Sequence, residues 1–246
     1  MLIKGESINY LIYEQPINVI SGDIDLMIRY RNGNITEEYK RKIKAHIRNP
    51  WIECDYFRHH DIDLYGILPI NFQRIWDNAT KIKYMDIDVF VMSPEDMLLV
   101  ACINCCRKRY FRLKSLCDIA EIINKYDKLN WNEFIERAKG YKCNNIVYTA
   151  LLIANSTLGC NLPDYVLNKL KVNKLRMAVI HFLIKRVCHG NYLLHLYPYF
   201  KRTAEKKYVT NINFSLILPY ATYRWSQLLP KMKINWKYIR RSFKNR

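Results

Sequence analysis

Asp23-Ile24-Asp25 sets two carboxylates two residues apart in a run of strand-forming residues, SGDIDLMI over 21–28. On a strand, residues i and i+2 project to the same side. The two acids then share one face, and Ile24, Leu26 and Ile28 take the other. Two like charges that close repel and drive one pKa upward, a cost that a divalent cation removes. Hard oxygen donors select Mg²⁺ or Mn²⁺ for that role. Ser21-Gly22 just ahead of the pair forms a turn that lets backbone approach a ligand closely. A half-buried edge strand with an acidic outer face carries the same Asp-x-Asp, so the surrounding residues must decide. The triplet also recurs at Asp61-Ile62-Asp63 and at Asp86-Ile87-Asp88.

Upstream, Leu2-Ile3-Lys4-Gly5-Glu6-Ser7 reads as a strand end, a glycine turn and the start of a helix that continues through Ile8–Tyr13. Free N–H groups at such a helix start can cradle a phosphate. A phosphate cradle followed by an acidic strand is the outline of a phosphoryl- or nucleotidyl-transfer site. A third carboxylate is then expected from a neighbouring strand. Ile62–Leu68 reads as that strand, with Asp63 as the third acid and Asp61 as its fallback. Asp86 and Asp88 lack such support and read as a solvated face.

The elements that must position these groups change texture near residue 92. Before it, strands are expected at Ile24–Ile28, Ile52–Phe57, Ile62–Leu68 and Ile82–Val91, with one helix at Thr36–Ile47 capped by Asn34. After it the period becomes helical. Ser93-Pro94-Glu95-Asp96 is a strong helix start, with Ser as N-cap, Pro in the first turn and acids beside it. That helix runs towards Arg107, and others are expected at Leu113–Lys125, Asn130–Ala138, Asn145–Leu158, Asp164–Leu170 and Leu175–Val187. The expected class is α+β. A small mixed-sheet core occupies 1–92, and an all-helical part with a basic C-terminal segment occupies 93–246.

The charge is lopsided. The net formal charge is +18, yet residues 1–92 carry 12 Lys+Arg against 13 Asp+Glu, whereas residues 201–246 carry 12 against 1. Such a field favours polyanions, whether nucleotide, nucleic acid or an anionic membrane surface. A merely solvated basic tail accounts for it equally well. In residues 220–246 basic groups alternate with Met232, Ile234, Trp236, Ile239 and Phe243, a pattern compatible with a membrane-surface segment. The eight cysteines do not form a disulfide framework in a chain of this length. Cys102-x-x-Cys105-Cys106 has no partner pair at zinc-finger spacing and reads as buried thiols. His59-His60 and Cys188-His189 are isolated pairs, weak as metal signals. The longest apolar run, around Ile146–Ala154, is too short to cross a bilayer, and no signal-peptide pattern opens the chain. A cytoplasmic protein is expected.

The run KGESINYLIY…SGDIDLMI resembles the polymerase-beta-type nucleotidyltransferase superfamily. More narrowly, the chain is similar to the family of uncharacterised nucleotidyltransferases, with a Lys-Gly turn in place of the usual Gly-Ser. Further segments follow in the family's order over roughly residues 2–170: Ile62-Asp63-Leu64-Tyr65, Ser93-Pro94-Glu95-Asp96-Met97-Leu98-Leu99, Leu113–Ala120, Asn130-Trp131-Asn132-Glu133-Phe134 and Gly159-Cys160-Asn161-Leu162-Pro163. There are departures. Val19 stands where an Arg is usual, Tyr65 where a His is usual, and the expected helical His falls near Asn104. Family members also carry a helical stretch before the turn, where this sequence opens at Met1; either the core is short at its N-terminus or the true start lies upstream.

The resemblance implies two-metal transfer of NMP from an NTP, ATP first, to an acceptor that is a small molecule, a peptide, a protein or an RNA end. It assigns Asp23, Asp25 and Asp63 to catalysis and to Mg²⁺ or Mn²⁺, with Asp63 beside the acceptor. Gly5 and Ser7 would meet the β- and γ-phosphates, with Lys4 and Gly22 beside them. Lys114 and Asp118, four apart on one helix face, are expected to line the cleft, or else to form an ordinary intrahelical salt bridge. The departures motivate a second expectation, a catalytically inactive nucleotide-binding or antitoxin-like module. The basic C-terminal segment motivates a nucleic-acid-binding protein.

Overall fold

Short alternating segments pair into one sheet, and longer amphipathic ones stack beside it. The computed structural model describes residues 1–13, 24–29, 38, 41–42, 45, 52–56, 59, 61–84, 86–110, 112–170, 172–188 and 221–222. Five strands are formed: β1 (Leu2–Ile3), β2 (Ile24–Ile28), β3 (Ile52–Tyr56), β4 (Thr80–Tyr84) and β5 (Ile87–Val91). Their spatial order is β3-β2-β1-β5-β4. β1 runs antiparallel to β2 and parallel to β5, and β2 runs parallel to β3 with Asp25 opposite Glu53 and Met27 opposite Asp55. Parallel neighbours need a crossover; residues 38, 41–42 and 45 of the intervening stretch are helical, and the rest of the expected helix over 36–47 lies outside the described residues.

The described helices are α1 (Gly5–Ile12), α2 (Phe72–Asp77), α3 (Pro94–Arg107), α4 (Leu113–Lys125), α5 (Trp131–Gly140), α6 (Asn144–Leu158), α7 (Asp164–Lys169) and α8 (Lys174–Cys188). The α+β class is borne out. The cap residues explain several starts. Ser93 Oγ accepts the Asp96 N–H with Pro94 in the first turn, Asn71 Oδ1 accepts from Arg74 N, and Asn130 Oδ1 accepts from Glu133 N. Gly159 ends α6 at φ 65°, the left-handed C-cap that glycine adopts without strain. Almost every side chain of α6 up to Ala154 is buried, so its apolar run is the hub of the helical part, where α3, α4, α5 and α7 all touch it. Among the described residues, no helix is long and apolar enough to cross a membrane.

Two strand expectations are corrected. Residues 61–67 form turns, not a strand, with Leu64, Tyr65 and Gly66 at φ 52°, 61° and 80°. Three successive positive φ values prevent pairing, although Ile62, Leu64 and Leu68 still reach the core. The expected strand over 82–91 is a hairpin, with Asp86 at φ 64° between β4 and β5. Asp86 and Asp88 are exposed and Asp88 pairs with Lys81 at 2.6 Å, the solvated face expected of them. On β2 the alternation is as expected, but the acid lies on the inner face: Asp25 and Met27 are buried, while Ile24, Leu26 and Ile28 are half-buried.

One hydrophobic cluster runs from Ile3, Ile8 and Met27 through Met97 and Leu98 to Ile146 and Leu151. A buried ion pair is set into it. Arg137 of α5 meets the Asp96 carboxylate of α3, donates to Ser93 Oγ at 3.2 Å, and also pairs with Glu133, which accepts from Arg74 of α2 at 3.0 Å. Burial raises the Asp96 carboxyl above its ordinary range in spite of Arg137. Cys102, Cys105 and Cys106 are buried thiols in no disulfide, as expected.

Removing one member of a buried pair strands the other. Asp96→Ala is expected to lose about 3–5 kcal/mol of stability, whereas Asp96→Leu with Arg137→Met recovers most of it; urea unfolding of the three proteins reads the difference.

Candidate active site

Lys4 is the residue on which the site converges. It follows β1 at φ 53°, ψ −132°, a backbone region that costs a side-chain-bearing residue about 1–3 kcal/mol. Its ammonium is buried, 3.0 Å from Asp25 Oδ1 on β2, and it donates to Asp61 Oδ2 at 2.9 Å. The Lys4 carbonyl accepts from the Ile8 N–H at 3.1 Å and from Ser7 Oγ at 2.8 Å. Ser7 is buried, so the hydroxyl expected to meet a phosphate is engaged inside the first turn of α1. Gly5 opens that turn.

His59 backs Asp25. It is fully buried, its Nδ1 accepts the Asp61 backbone N–H at 3.2 Å, and its Nε2 lies 3.4 Å from Asp25 Oδ1. An imidazole that accepts at Nδ1 carries its proton on Nε2, the ring nitrogen that lies nearer Asp25 Oδ1. Asp55 of β3 stands 3.7 Å from Nδ1. Burial works to raise the Asp25 carboxyl, but the hydrogen bond from His59 and the Lys4 charge outweigh it and hold it below the usual range.

On the other side, Arg107 at the end of α3 places Nη2 3.0 Å from Asp61 Oδ2. Asn104, one turn earlier, fixes that guanidinium by accepting from Nε at 3.2 Å and Nη2 at 3.0 Å. Lys108 follows, its ammonium lowered by partial burial and by the neighbouring Arg107 and Arg112 charges. The side chains thus form a line, Asp55–His59–Asp25–Lys4–Asp61–Arg107, drawn from two strands, two turns and a helix.

Not every expected residue joins it. Asp63 is buried, but its Oδ1 accepts the Gly66 N–H at 2.8 Å and so caps its own turn. Asp61, the fallback, is the acid that meets Lys4 together with Asp25. Gly22 and Asp23 lie outside the described residues. Lys114 and Asp118 form the intrahelical pair, at 3.1 Å, and Asp118 also accepts from Tyr13 Oη at 2.8 Å. Tyr13 caps the C-terminal end of α1 while Lys4 caps its N-terminal end, so this pair is tied to the opposite end of that eight-residue helix. Burial raises the Asp118 carboxyl above its ordinary range, against the opposing Lys114 charge and the Tyr13 hydrogen bond.

Three participants escape sequence reasoning. His59 is visible only as half of a His-His pair with no ligand at a recognisable spacing. Asn104 shows as a departure, and Arg107 as a helix-terminal cation. Among the described residues no three His, Cys, Asp or Glu side chains gather as a metal site. The two carboxylates that do converge share a cation, the Lys4 ammonium. In kind, that oxygen pair fits a hard divalent ion, with Lys4 as a monovalent stand-in.

Residues 58–159 match the model of a family described as an uncharacterised nucleotidyltransferase. The nucleotidyltransferase resemblance is borne out. The matched span takes in Asp61, Asp63, Arg107, Lys114 and Asp118, whereas Lys4, Gly5, Ser7, Gly22, Asp23 and Asp25 lie ahead of it. It supports nucleotidyl transfer as the class of reaction. No curated protein and no solved structure matches the chain.

A carboxyl whose pKa rises on folding stabilises while protonated and loses that contribution as pH rises through the folded value. The stability of the parent protein minus that of Asp118→Asn is therefore expected to fall as pH rises from about 4, near the unfolded carboxyl value, towards neutrality. Urea titrations of both proteins across that range check the sign.

Proposed function

We propose that the Asp25 cluster is the centre of a metal-dependent nucleotidyltransferase that moves NMP from an NTP, ATP first, to an acceptor hydroxyl. The observation that carries this reading is the pair of buried carboxylates, Asp25 and Asp61, converging on one cation in a chain whose residues 58–159 match a nucleotidyltransferase family. Asp23 and Asp25 would hold Mg²⁺ or Mn²⁺, with Asp61 as the third acid and Asp63 as its alternative. The bound ions would supply neutralisation of triphosphate charge and a lowered acceptor pKa.

The chain's own groups have separate tasks in this reading. His59 Nε2–H orients Asp25 and keeps it ionised. Arg107, steadied by Asn104, and Lys108 offer positive charge for the departing pyrophosphate. Backbone N–H groups at Gly5 and the following residues supply the phosphate cradle, since the Ser7 hydroxyl is turned to the Lys4 carbonyl. Lys114 and Asp118, at the far end of α1, would serve a second wall of the cleft. The acceptor is a small molecule, a peptide, a protein or an RNA end; the basic excess of residues 201–246 suits a polyanionic one.

A second reading, an inactive nucleotide-binding module, is favoured by the same ammonium, which already neutralises the acids a metal would occupy. Incubation of the chain with α-phosphate-labelled NTPs, Mg²⁺ and cell extract separates the two. Transfer of label by the parent protein, reduced at least 100-fold in Asp23→Ala/Asp25→Ala, is the expected result. Nucleotide binding without any transferred label would favour the inactive module instead.

A further inference from the structure

Two carboxylates as buried as Asp25 and Asp61, at 5% and 7% exposure, must be neutralised where they stand. The residue that does so is not placed there cheaply. Lys4 carries a side chain at a backbone position where glycine would be relaxed, and its buried ammonium gives up solvent. The reward is a charge within 3.0 Å of both acids. Each acid also keeps a second partner, which meets the same oxygen as Lys4: His59 at Asp25 Oδ1 and Arg107 at Asp61 Oδ2. Withdrawal of the ammonium would therefore leave both carboxylates held by their second partners and facing one vacated cation position. An ammonium and a divalent ion cannot both occupy that position, because they would repel at contact distance in a place of low dielectric.

We propose that the Lys4 ammonium is the resident counter-ion of the Asp25–Asp61 pair, and that a divalent cation enters only by displacing it. Lys4 thereby sets the metal affinity of the site: it keeps the acids neutral in the empty protein and raises the metal concentration at which the site fills. The proposal takes only the identity of the competing ion from the transferase reading. It concerns binding in the absence of nucleotide and acceptor.

The test is Mn²⁺ binding to the full chain, followed by the loss of the free-ion paramagnetic resonance signal, in the parent protein, Lys4→Met and Lys4→Met/Asp61→Asn. Lys4→Met is expected to bind Mn²⁺ at least tenfold more tightly than the parent, and the added Asp61→Asn to abolish that gain. Because Lys4→Met strands two buried acids, thermal unfolding is followed in parallel, and Mn²⁺ is expected to raise the Tm of Lys4→Met more than that of the parent. The proposal is overturned by Mn²⁺ affinity in Lys4→Met no higher than in the parent, or by a gain that survives Asp61→Asn. Failure of Lys4→Met to fold even in millimolar Mn²⁺ overturns it equally, since the metal should then replace the lost charge. A parent protein that transfers no label, together with tighter Mn²⁺ binding by Lys4→Met, would defeat the transferase reading and leave this one standing.

Discussion

A single buried ammonium carries the geometry of the strand half of this protein. β1 is only two residues long, yet it lies in the middle of the sheet, between β2 and β5. So short a ladder cannot fix its own register or direction. The Lys4 side chain does so from the end of the strand, by joining the β1–α1 turn to β2 through Asp25 and to the turns over 61–67 through Asp61. The left-handed backbone at Lys4 follows from this demand, because the chain must reverse into α1 just where the ammonium has to reach inward.

The second buried ionic group works differently. Asp96, Arg137, Ser93, Glu133 and Arg74 lie on helices or their caps and pair with one another within that framework. Its role is to hold α5 and α2 against the start of α3. The Lys4 line is built across turns and strand ends, where acids and cations alternate and where Asp25 and Asp61 each meet two partners. Similar chemistry therefore aligns helices in one place and joins strands to turns in the other. The difference lies in what surrounds the charges, not in their number.

Much of this architecture is legible in the residues. Ser93-Pro94 and Asn130 announce helix starts through backbone N–H groups that need an acceptor, and Gly159 marks a stop through its positive φ. The alternation of Asp25 and Met27 with Ile24, Leu26 and Ile28 on β2 is likewise local. Ile62–Leu68 misleads because its buried apolar residues recur at strand-like spacing while left-handed backbone at Leu64, Tyr65 and Gly66 bends the chain away from any partner. The hairpin over 80–91 misleads because Asp86 reverses a run that composition alone leaves continuous. In the site, Asp25 and Lys4 can be picked out from their neighbours in sequence. His59 and Arg107 cannot, since each earns its place by proximity to an acid brought in by the fold. That Asp61 meets Lys4 while Asp63 accepts from the Gly66 N–H is a difference that no spacing encodes.

α1 has a further, mechanical meaning. Its first turn is clamped through Lys4 and through Glu6, which accepts from Tyr84, and its later half through Tyr10, whose hydroxyl donates to the Lys83 carbonyl. Its end is tied by Tyr13 to Asp118 of α4. An eight-residue helix is too short and too stiff to absorb a shift at one tip by bending. It behaves as a strut, so a movement of the turn at Lys4 is delivered to the packing of α4, and a load on α4 is felt by the acids of the sheet.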